Sequence, residues 1–258
     1  MNNITEKIVL PPVGRVWFGD VLAEFWGPVK PSGKVIILCD GCPSVPSKKR
    51  TAETLAKKGY WVFHMRYRGS WESKGQFLKY PPSEDVRLVA RGVREGFINI
   101  YDGTRYVLDV RECIVIGASF GGAAAVIAST YPEIDKAIAL APVIDWRAET
   151  KSEPFHHFVN LLAHGFGSAY RPAKDAYSKL QSGMFYQPLI GAERMDPGKL
   201  LIVHARDDKV IPLAPLRTFA KLAKLKPVYL DEGGHFSASS ILDKEIWKYA
   251  KAFLGKKA

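Results

Sequence analysis

The sequence contains few amide side chains, three cysteines and no long apolar run. Asparagine occurs only at positions 2, 3, 99 and 160, and glutamine only at positions 76, 181 and 187. Lys and Arg total 37 against 26 Asp and Glu, so the 258-residue chain carries a formal net charge of +11 at pH 7. Abundant lysine with few amides is typical of hyperthermophile proteins, which gives the positive charge a source other than a nucleic-acid partner.

The composition also indicates which binding partners and which cellular compartment to expect. The basic residues are scattered and no recognised nucleic-acid-binding module accompanies them, so we expect no nucleic-acid partner. No stretch approaches the roughly 20 apolar residues of a membrane span. Residues 1–9 carry Glu6 and Lys7 and lack the apolar core of a signal peptide. We therefore expect no membrane association and a cytoplasmic location.

The three cysteines do not form a recognisable metal or redox motif. Cys39 and Cys42 make a CxxC, but the sequence offers neither a second ligand pair nor a thioredoxin-like context, and Cys113 stands apart. We read all three as reduced thiols. His156 and His157 lack a third ligand at a suitable spacing, so we expect no bound metal.

Length and hydrophobic patterning predict one large α/β domain spanning residues 1–258. Continuous apolar runs predict strands at 21–26, 34–39, 60–65, 112–116, 136–141, 200–204 and 227–230. Helical spacing predicts helices at 47–58, 84–98, 120–130, 213–225 and 240–254. Buried strands that alternate with helices imply a mainly parallel sheet with helices on both faces, with the leading strands antiparallel. Residues 145–198 show no clear strand and are rich in aromatics, which predicts a helical cap over a site.

The most informative motif is the segment Gly-Ala-Ser-Phe-Gly-Gly at 117–122. It follows a predicted buried strand and opens a helix, the context in which GxSxG forms a nucleophile elbow. Ser119 is the candidate nucleophile, and Gly117 and Gly121 leave room for its sharp turn. The N-terminus of the following helix favours negative charge that develops beside the serine.

Ser119 needs a base and an acid that orients the base. Asp207 and Asp208 follow one predicted strand, and His235 follows the next. The order serine, aspartate, histidine is that of the α/β-hydrolase triad, and each residue comes just after a strand, where open α/β sheets place their sites. The residue types alone do not choose between the two aspartates.

Together these motifs resemble the α/β-hydrolase superfamily over roughly residues 21–254. The segments 67–70, 84–86 and 141–146 are similar to the catalytic domain of the prolyl oligopeptidase and acylaminoacyl-peptidase group. The sequence has no counterpart of the propeller of those peptidases and looks like a stand-alone catalytic domain, as in small esterases. Matching the family pattern from His204 and Pro212 puts the acid at Asp208 and makes Asp207 a turn or supporting carboxylate.

The resemblance also implies an oxyanion hole made by the backbone amides of Phe120 and Cys42. The family usually carries His-Gly where this sequence reads Asp40-Gly41. Because a carboxylate beside an oxyanion would be unfavourable, we expect Asp40 to point away, towards Arg66 or Arg68.

Other aromatic and histidine residues can be interpreted either as packing residues or as part of the site. We expect His64 to be a packed core histidine and Trp71 to border the site. Helical spacing at 155–166 predicts a cap helix packed on the body, or an acyl pocket if one face stays open.

The sequence thus predicts a serine hydrolase, without cofactor, that cleaves carboxylic esters of small acyl groups. Two alternatives stay open: an acylaminoacyl- or prolyl-type peptidase acting on short peptides, and a catalytically silent hydrolase scaffold that binds a ligand. Oligomeric state is not predicted.

Overall fold

The computed structural model describes residues 11–30, 32–151 and 153–255. These residues form the strands β1 (Val13–Phe18), β2 (Val21–Trp26), β3 (Lys34–Cys39), β4 (Trp61–Met65), β5 (Phe97–Ile98), β6 (Arg105–Tyr106), β7 (Glu112–Ala118), β8 (Lys136–Leu140), β9 (Leu200–Ala205) and β10 (Val228–Leu230). The helices are α1 (Lys49–Lys57), α2 (Pro82–Glu95), α3 (Phe120–Ala128), α4 (Phe155–Asn160), α5 (Ala176–Gln181), α6 (Leu213–Leu222) and α7 (Lys244–Leu254).

Eight of the strands form one twisted sheet in the order β1-β2-β4-β3-β7-β8-β9-β10. All neighbours from β4 to β10 run parallel, whereas β1 pairs with β2, and β2 with β4, in antiparallel register. Strands β5 and β6 make a separate two-stranded hairpin. The mainly parallel sheet and the antiparallel leading strands agree with the sequence-based prediction.

Residue alternation along the central strands divides the core between the two faces of the sheet. Val35 and Ile37 pack on one side with residues of α2, α3 and α6, and Ile36 and Leu38 pack on the other with residues of α1 and α7. Both faces are therefore apolar, which is why these strands read as continuous hydrophobic runs. Because β3, β7 and β9 run parallel in this sheet, their carboxyl ends lie at one edge of it.

Several element boundaries differ from the sequence-based prediction. Strand β1 was not predicted. The helix predicted over 84–98 ends at Glu95, because Gly96 adopts φ +96° and the next two residues form β5. The helix predicted over 240–254 divides into a 3₁₀ segment, Ala238–Leu242, and α7.

The described residues between β8 and β9 contain short helices and no strand of the main sheet. Besides α4 and α5, they include a π-helix, Leu161–Phe166, and 3₁₀ turns at Gly167–Ala169 and Ala192–Arg194. Isolated bridges pair Ser70 with Tyr170 and Phe77 with Pro172 and so tie this segment to the loop after β4. Among the described residues, no helix has both the length and the apolarity needed to cross a membrane.

Candidate active site

Ser119 occupies the turn between β7 and α3 in a conformation that L-residues rarely adopt. Its φ is +53° and its ψ is −117°. The turn is fixed on both sides of the residue, because Ser119 N–H donates to the Leu140 carbonyl (2.9 Å) and the Ser119 carbonyl accepts from Val143 N–H (3.2 Å). Strain of this kind persists only where the surroundings enforce it, as at active sites.

The glycines on either side of Ser119 are required by close backbone packing. A Cβ at Gly117 would lie 2.0 Å from the Gly121 carbonyl oxygen, and one at Gly121 would lie 2.3 Å from the Cys39 carbonyl oxygen. Real Cβ atoms do not approach backbone so closely. The GxSxG pattern therefore follows from the contact between the start of α3 and the end of β3.

Phe120 and Cys42 line the same pocket as Ser119. Phe120 is the first residue of α3, so its N–H has no acceptor within the helix. In the described part of the chain, neither this N–H nor that of Cys42 donates a hydrogen bond. Two free donors in residues that share a pocket with the serine, one of them at the positive end of a helix, suit a developing oxyanion.

Asp208 and His235 meet where the loops after β9 and β10 come together. His235 Nδ1 lies 2.9 Å from Asp208 Oδ2. The other carboxylate oxygen, Oδ1, accepts hydrogen bonds from the backbone N–H groups of Val210 (2.8 Å) and Ile211 (3.1 Å). The carboxylate is fully buried, whereas the His235 side chain is 25% exposed. The aspartate is thus held rigidly while the imidazole reaches solvent.

Burial alone would raise the pKa of Asp208, but the hydrogen bonds from His204, His235 and the backbone outweigh burial and hold this pKa well below its usual range. The contact with His204 was missed by the sequence reasoning, which used that residue only to mark the motif. His204 Nε2 lies 3.3 Å from Asp208 Oδ2 and 3.2 Å from the Ile211 carbonyl. Asp208 therefore remains an anion that can orient an imidazole.

Asp207 lies next to the pair and supports the histidine loop. Its carboxylate accepts hydrogen bonds from the backbone N–H groups of Gly234 (2.8 Å) and Gly233 (3.3 Å). The structure thus brings Asp208, and not Asp207, against the imidazole of His235. Asp207 fixes the two residues that precede that histidine.

Ser119 and His235 are not joined by a hydrogen bond within residues 11–30, 32–151 and 153–255. Catalytic hydrogen bonds are often long in unliganded enzymes and shorten when substrate binds. The loop after β10 carries His235 on its exposed side, next to Gly233 and Gly234, both of which have positive φ.

Asp40 points away from the pocket, as expected, but its partner is not Arg66 or Arg68. Its Oδ2 lies 2.8 Å from His64 Nε2. Arg66 instead pairs with Glu24 (3.0 Å), and Arg68 pairs with Asp85. The error has a physical cause: His64 lies on β4, the strand next to β3 in the sheet, so it faces the end of β3 directly. His64 is buried, as expected, but it contacts the Asp40 carboxylate and does not merely fill the core.

A cavity of ≈ 90 Å³ opens at Ser119, and residues from the segment between β8 and β9 form much of its wall. Its apolar lining includes Val143, Trp146, Phe155, Phe158 and Ile211. Carboxylates also line it, from Asp145, Glu149 and Glu153.

Other aromatic and histidine residues of this region lie outside the cavity wall. Trp71, expected to border the site, instead donates its indole N–H to the Ser44 carbonyl (3.1 Å). His156 and His157 are exposed on α4 and do not line the cavity.

The comparisons with known proteins agree with this architecture. Residues 46–256 match the prolyl oligopeptidase family. A comparison with curated proteins finds no match. Among solved structures, the fold is similar to the esterase Pf2001 of Pyrococcus furiosus, with 20% identity, a TM-score of 0.68, and coverage of 95% of this chain and 90% of that one.

Two further solved structures share the fold. The acylaminoacyl peptidase of Pyrococcus horikoshii is 17% identical with a TM-score of 0.65, and the match covers 95% of this chain but 40% of the peptidase. DcsB, solved with its substrate analogue, is 16% identical with a TM-score of 0.67, and the match covers 95% and 97% of the two chains. At these identities the likeness establishes an α/β-hydrolase fold, while the sequence match extends over most of the chain. The protein therefore belongs to the prolyl oligopeptidase family, and this membership supports a hydrolase activity.

Proposed function

We propose that the protein is a serine hydrolase that cleaves carboxylic esters with small acyl groups. The observation that carries the proposal is the arrangement at one edge of the sheet. A strained serine, two free backbone amides and a buried aspartate bound to a solvent-exposed histidine all follow strands that end there. Residues with these roles are the parts that acyl transfer through a covalent intermediate requires.

The mechanism assigns one role to each residue. Ser119 Oγ attacks the ester carbonyl carbon while His235 takes the hydroxyl proton, and Asp208 stabilises the resulting imidazolium. The carbonyl oxygen becomes an anion that accepts hydrogen bonds from the amides of Phe120 and Cys42. When the intermediate collapses, the alkoxide leaves with the proton from His235. Water, activated by the same histidine, then hydrolyses the acyl-enzyme and restores Ser119.

The cavity at Ser119 supports small acyl groups. Its ≈ 90 Å³ are bounded in part by the side chains of Trp146 and Phe155, both of which pack against Phe158. A short alkyl chain can be buried there, whereas a longer chain requires these aromatic side chains to move. We therefore expect butyrate esters to react faster than octanoate esters.

A second candidate is a peptidase acting on short peptides. It is favoured by one observation: the carboxylates of Glu149 and Glu153 line the cavity, and in the described part of the chain neither forms an ion pair. Such carboxylates would attract a positively charged group on a substrate, which peptides carry more often than simple esters.

The decisive experiment compares the wild type with Ser119→Ala on p-nitrophenyl acetate and butyrate and on matched N-acylated amino-acid p-nitroanilides. We expect ester turnover in the wild type and a loss of at least about 10³-fold in Ser119→Ala. Ser129→Ala, at the opposite end of α3, is the matched control and should keep its activity. Ester turnover that survives in Ser119→Ala would overturn the assignment, and a higher kcat/KM for the anilides would favour the peptidase.

A further inference from the structure

A row of charged side chains crosses one half of the sheet and ends at the loop that carries Cys42. Arg15 on β1 faces Glu24 on β2, and Glu24 faces His64 on β4, as cross-strand partners. His64 in turn reaches Asp40, the first residue after β3. Most buried side chains of the sheet are apolar, so a row of four ionisable side chains on adjacent strands stands out chemically.

The contacts along the row are short and the inner members are buried. His64 Nε2 lies 2.8 Å from Asp40 Oδ2, and His64 Nδ1 lies 3.8 Å from Glu24 Oε2, an ionic contact rather than a hydrogen bond. Glu24 Oε1 also accepts from Arg15 and approaches Arg66, both at 3.0 Å. The side chains of Asp40 and His64 are 6% and 2% exposed.

Buried ion pairs of this kind contribute little to stability, because the cost of desolvating both charges offsets their attraction. Apolar residues at the same positions would stabilise the sheet at least as well. A role in positioning the loop that carries Cys42 therefore explains the row better than a contribution to stability does. The last member of the row, Asp40, lies two residues before Cys42.

The backbone at Asp40 is held as firmly as its side chain. The Tyr67 hydroxyl donates to the Asp40 carbonyl (2.8 Å), and the Tyr67 ring packs edge-on against Phe120, 5.1 Å between centroids. A Cβ at Gly121 would lie 2.5 Å from the Asp40 carbonyl oxygen. The loop that carries Cys42 and the start of α3, which carries Phe120, thus share the contacts at Asp40.

The charge of Asp40 also needs compensation. A carboxylate this close in sequence to an oxyanion donor would destabilise negative charge on the substrate if it turned into the pocket. Asp40 does not line that pocket. Lys48 Nζ lies 3.6 Å from its Oδ2 on the solvent side, and His64 contacts it from β4.

The protonation of His64 depends on the charged groups that face it: Asp40 from the end of β3, Glu24 from β2 and Arg66 from the position directly after β4. Burial lowers the pKa of His64, but the contacts with Asp40 and Glu24 outweigh burial and Arg66, so the net shift is upward.

We propose that Asp40 and His64 are positioning residues for the oxyanion hole: their contact orients the Cys42 amide, and His64 keeps the carboxylate of Asp40 neutralised and out of the pocket. This inference rests on the proposed ester hydrolysis, since the oxyanion exists only in such a reaction.

The test is a double-mutant cycle with His64→Gln, Asp40→Asn and the combined variant, assayed on p-nitrophenyl butyrate. Active-site concentration is titrated in each preparation and folding is followed by thermal melting. Asp135→Asn is the matched control, because Asp135 anchors the opposite end of β7 through Cys113 N–H (2.7 Å) and an Arg94 pair.

We expect His64→Gln to lower kcat about 10- to 100-fold with KM changed by less than about twofold, because an oxyanion contact acts in the transition state and not on the bound substrate. The combined variant should be faster than His64→Gln alone, since it removes the unpaired carboxylate. The control should keep the wild-type kcat. If His64→Gln does not fold, Asp40→Asn alone should still lower kcat at unchanged KM.

Losses that simply multiply in the combined variant would contradict charge compensation. A kcat per titrated active site that stays at the wild-type value in Asp40→Asn and His64→Gln would contradict any positioning role. Absence of ester turnover in the wild type would instead count against the proposed function, and with it the inference.

Discussion

The aspartates of two Asp–His pairs follow the strands β3 and β9, and the pairs differ in how far each histidine is exposed. In the pair Asp208–His235 the carboxylate is fully buried while the imidazole is 25% exposed. In the pair Asp40–His64 both side chains are buried, and a second carboxylate, that of Glu24, faces the imidazole from the other side. An exposed imidazole can exchange protons with a substrate, whereas an enclosed one holds its neighbours in place. The same two residue types therefore suit proton transfer in one pair and positioning in the other.

The largest effect should separate the two histidines directly. His235→Gln removes the general base, so kcat on p-nitrophenyl butyrate should fall by about 10³- to 10⁴-fold. His64→Gln should lower kcat far less, by the smaller factor given above. Equal losses in the two variants, measured per folded protein, would break the distinction between the pairs.

The two adjacent aspartates offer a matched comparison within the first pair. Asp208→Asn keeps the shape but removes the charge that stabilises the imidazolium, so kcat should fall by about 10³-fold or more. Asp207→Asn keeps an acceptor oxygen for the Gly234 N–H and should lower kcat by less than about tenfold. Steady-state kinetics on both variants check this, and the reverse ranking would show that Asp207 is the catalytic acid.

A methyl group at Gly121 tests the contact between the elbow and the second pair. Because its Cβ would lie 2.3 Å from the Cys39 carbonyl and 2.5 Å from the Asp40 carbonyl, backbone must shift. We expect Gly121→Ala to lower kcat about 10- to 100-fold and the free energy of unfolding by about 1–3 kcal/mol. Gly255→Ala, at the end of α7, is the control. Wild-type kinetics in Gly121→Ala would show that the contact does not set the oxyanion hole.

The smallest effect concerns stability and its dependence on pH. Burial raises the pKa of Glu24, but the contact with the His64 side chain and the charge of Arg66 outweigh burial and lower this pKa to about 2. A carboxyl group whose pKa is lowered by folding stabilises the fold at pH values above its unfolded-state pKa, which is near 4.5. This stabilisation is lost as the pH falls towards 2.

Glu24→Gln should therefore reduce the free energy of unfolding by about 2 kcal/mol near pH 7. The difference from wild type should shrink below about pH 4.5 and be smallest near pH 2. Urea unfolding at several pH values measures this. A difference that grows with acidity would contradict an ionised Glu24 in the row.

The parts of the fold that were predicted correctly depend on local pattern. Strands such as β3 and β7 are apolar on both faces, and the sequence around Ser119 combines a strand, a glycine-flanked serine and a small-residue helix. Strand β1 was missed because it alternates buried and exposed residues and contains Gly14 and Arg15, so no continuous run marks it.

The partner of Asp40 could not be predicted because it depends on strand order. Strand β4 lies between β2 and β3 in the sheet, so His64 faces both Glu24 and the end of β3, although these residues are far apart in sequence. A different limit applies to His204, which lies only four residues before Asp208: their contact depends on how the chain turns after β9. The candidate catalytic residues could be predicted from their motifs, whereas the residues that contact and orient them became apparent only from the structure.

The most direct test of the account is whether Ser119 is an activated nucleophile. A fluorophosphonate probe, followed by peptide mass spectrometry, should form a covalent adduct on the peptide that contains Ser119. The adduct should be absent in Ser119→Ala, strongly slowed in His235→Gln and formed at the wild-type rate in Ser129→Ala. A wild-type protein that stays unlabelled, or an adduct on another residue that persists in Ser119→Ala, would contradict the account and favour a catalytically silent scaffold.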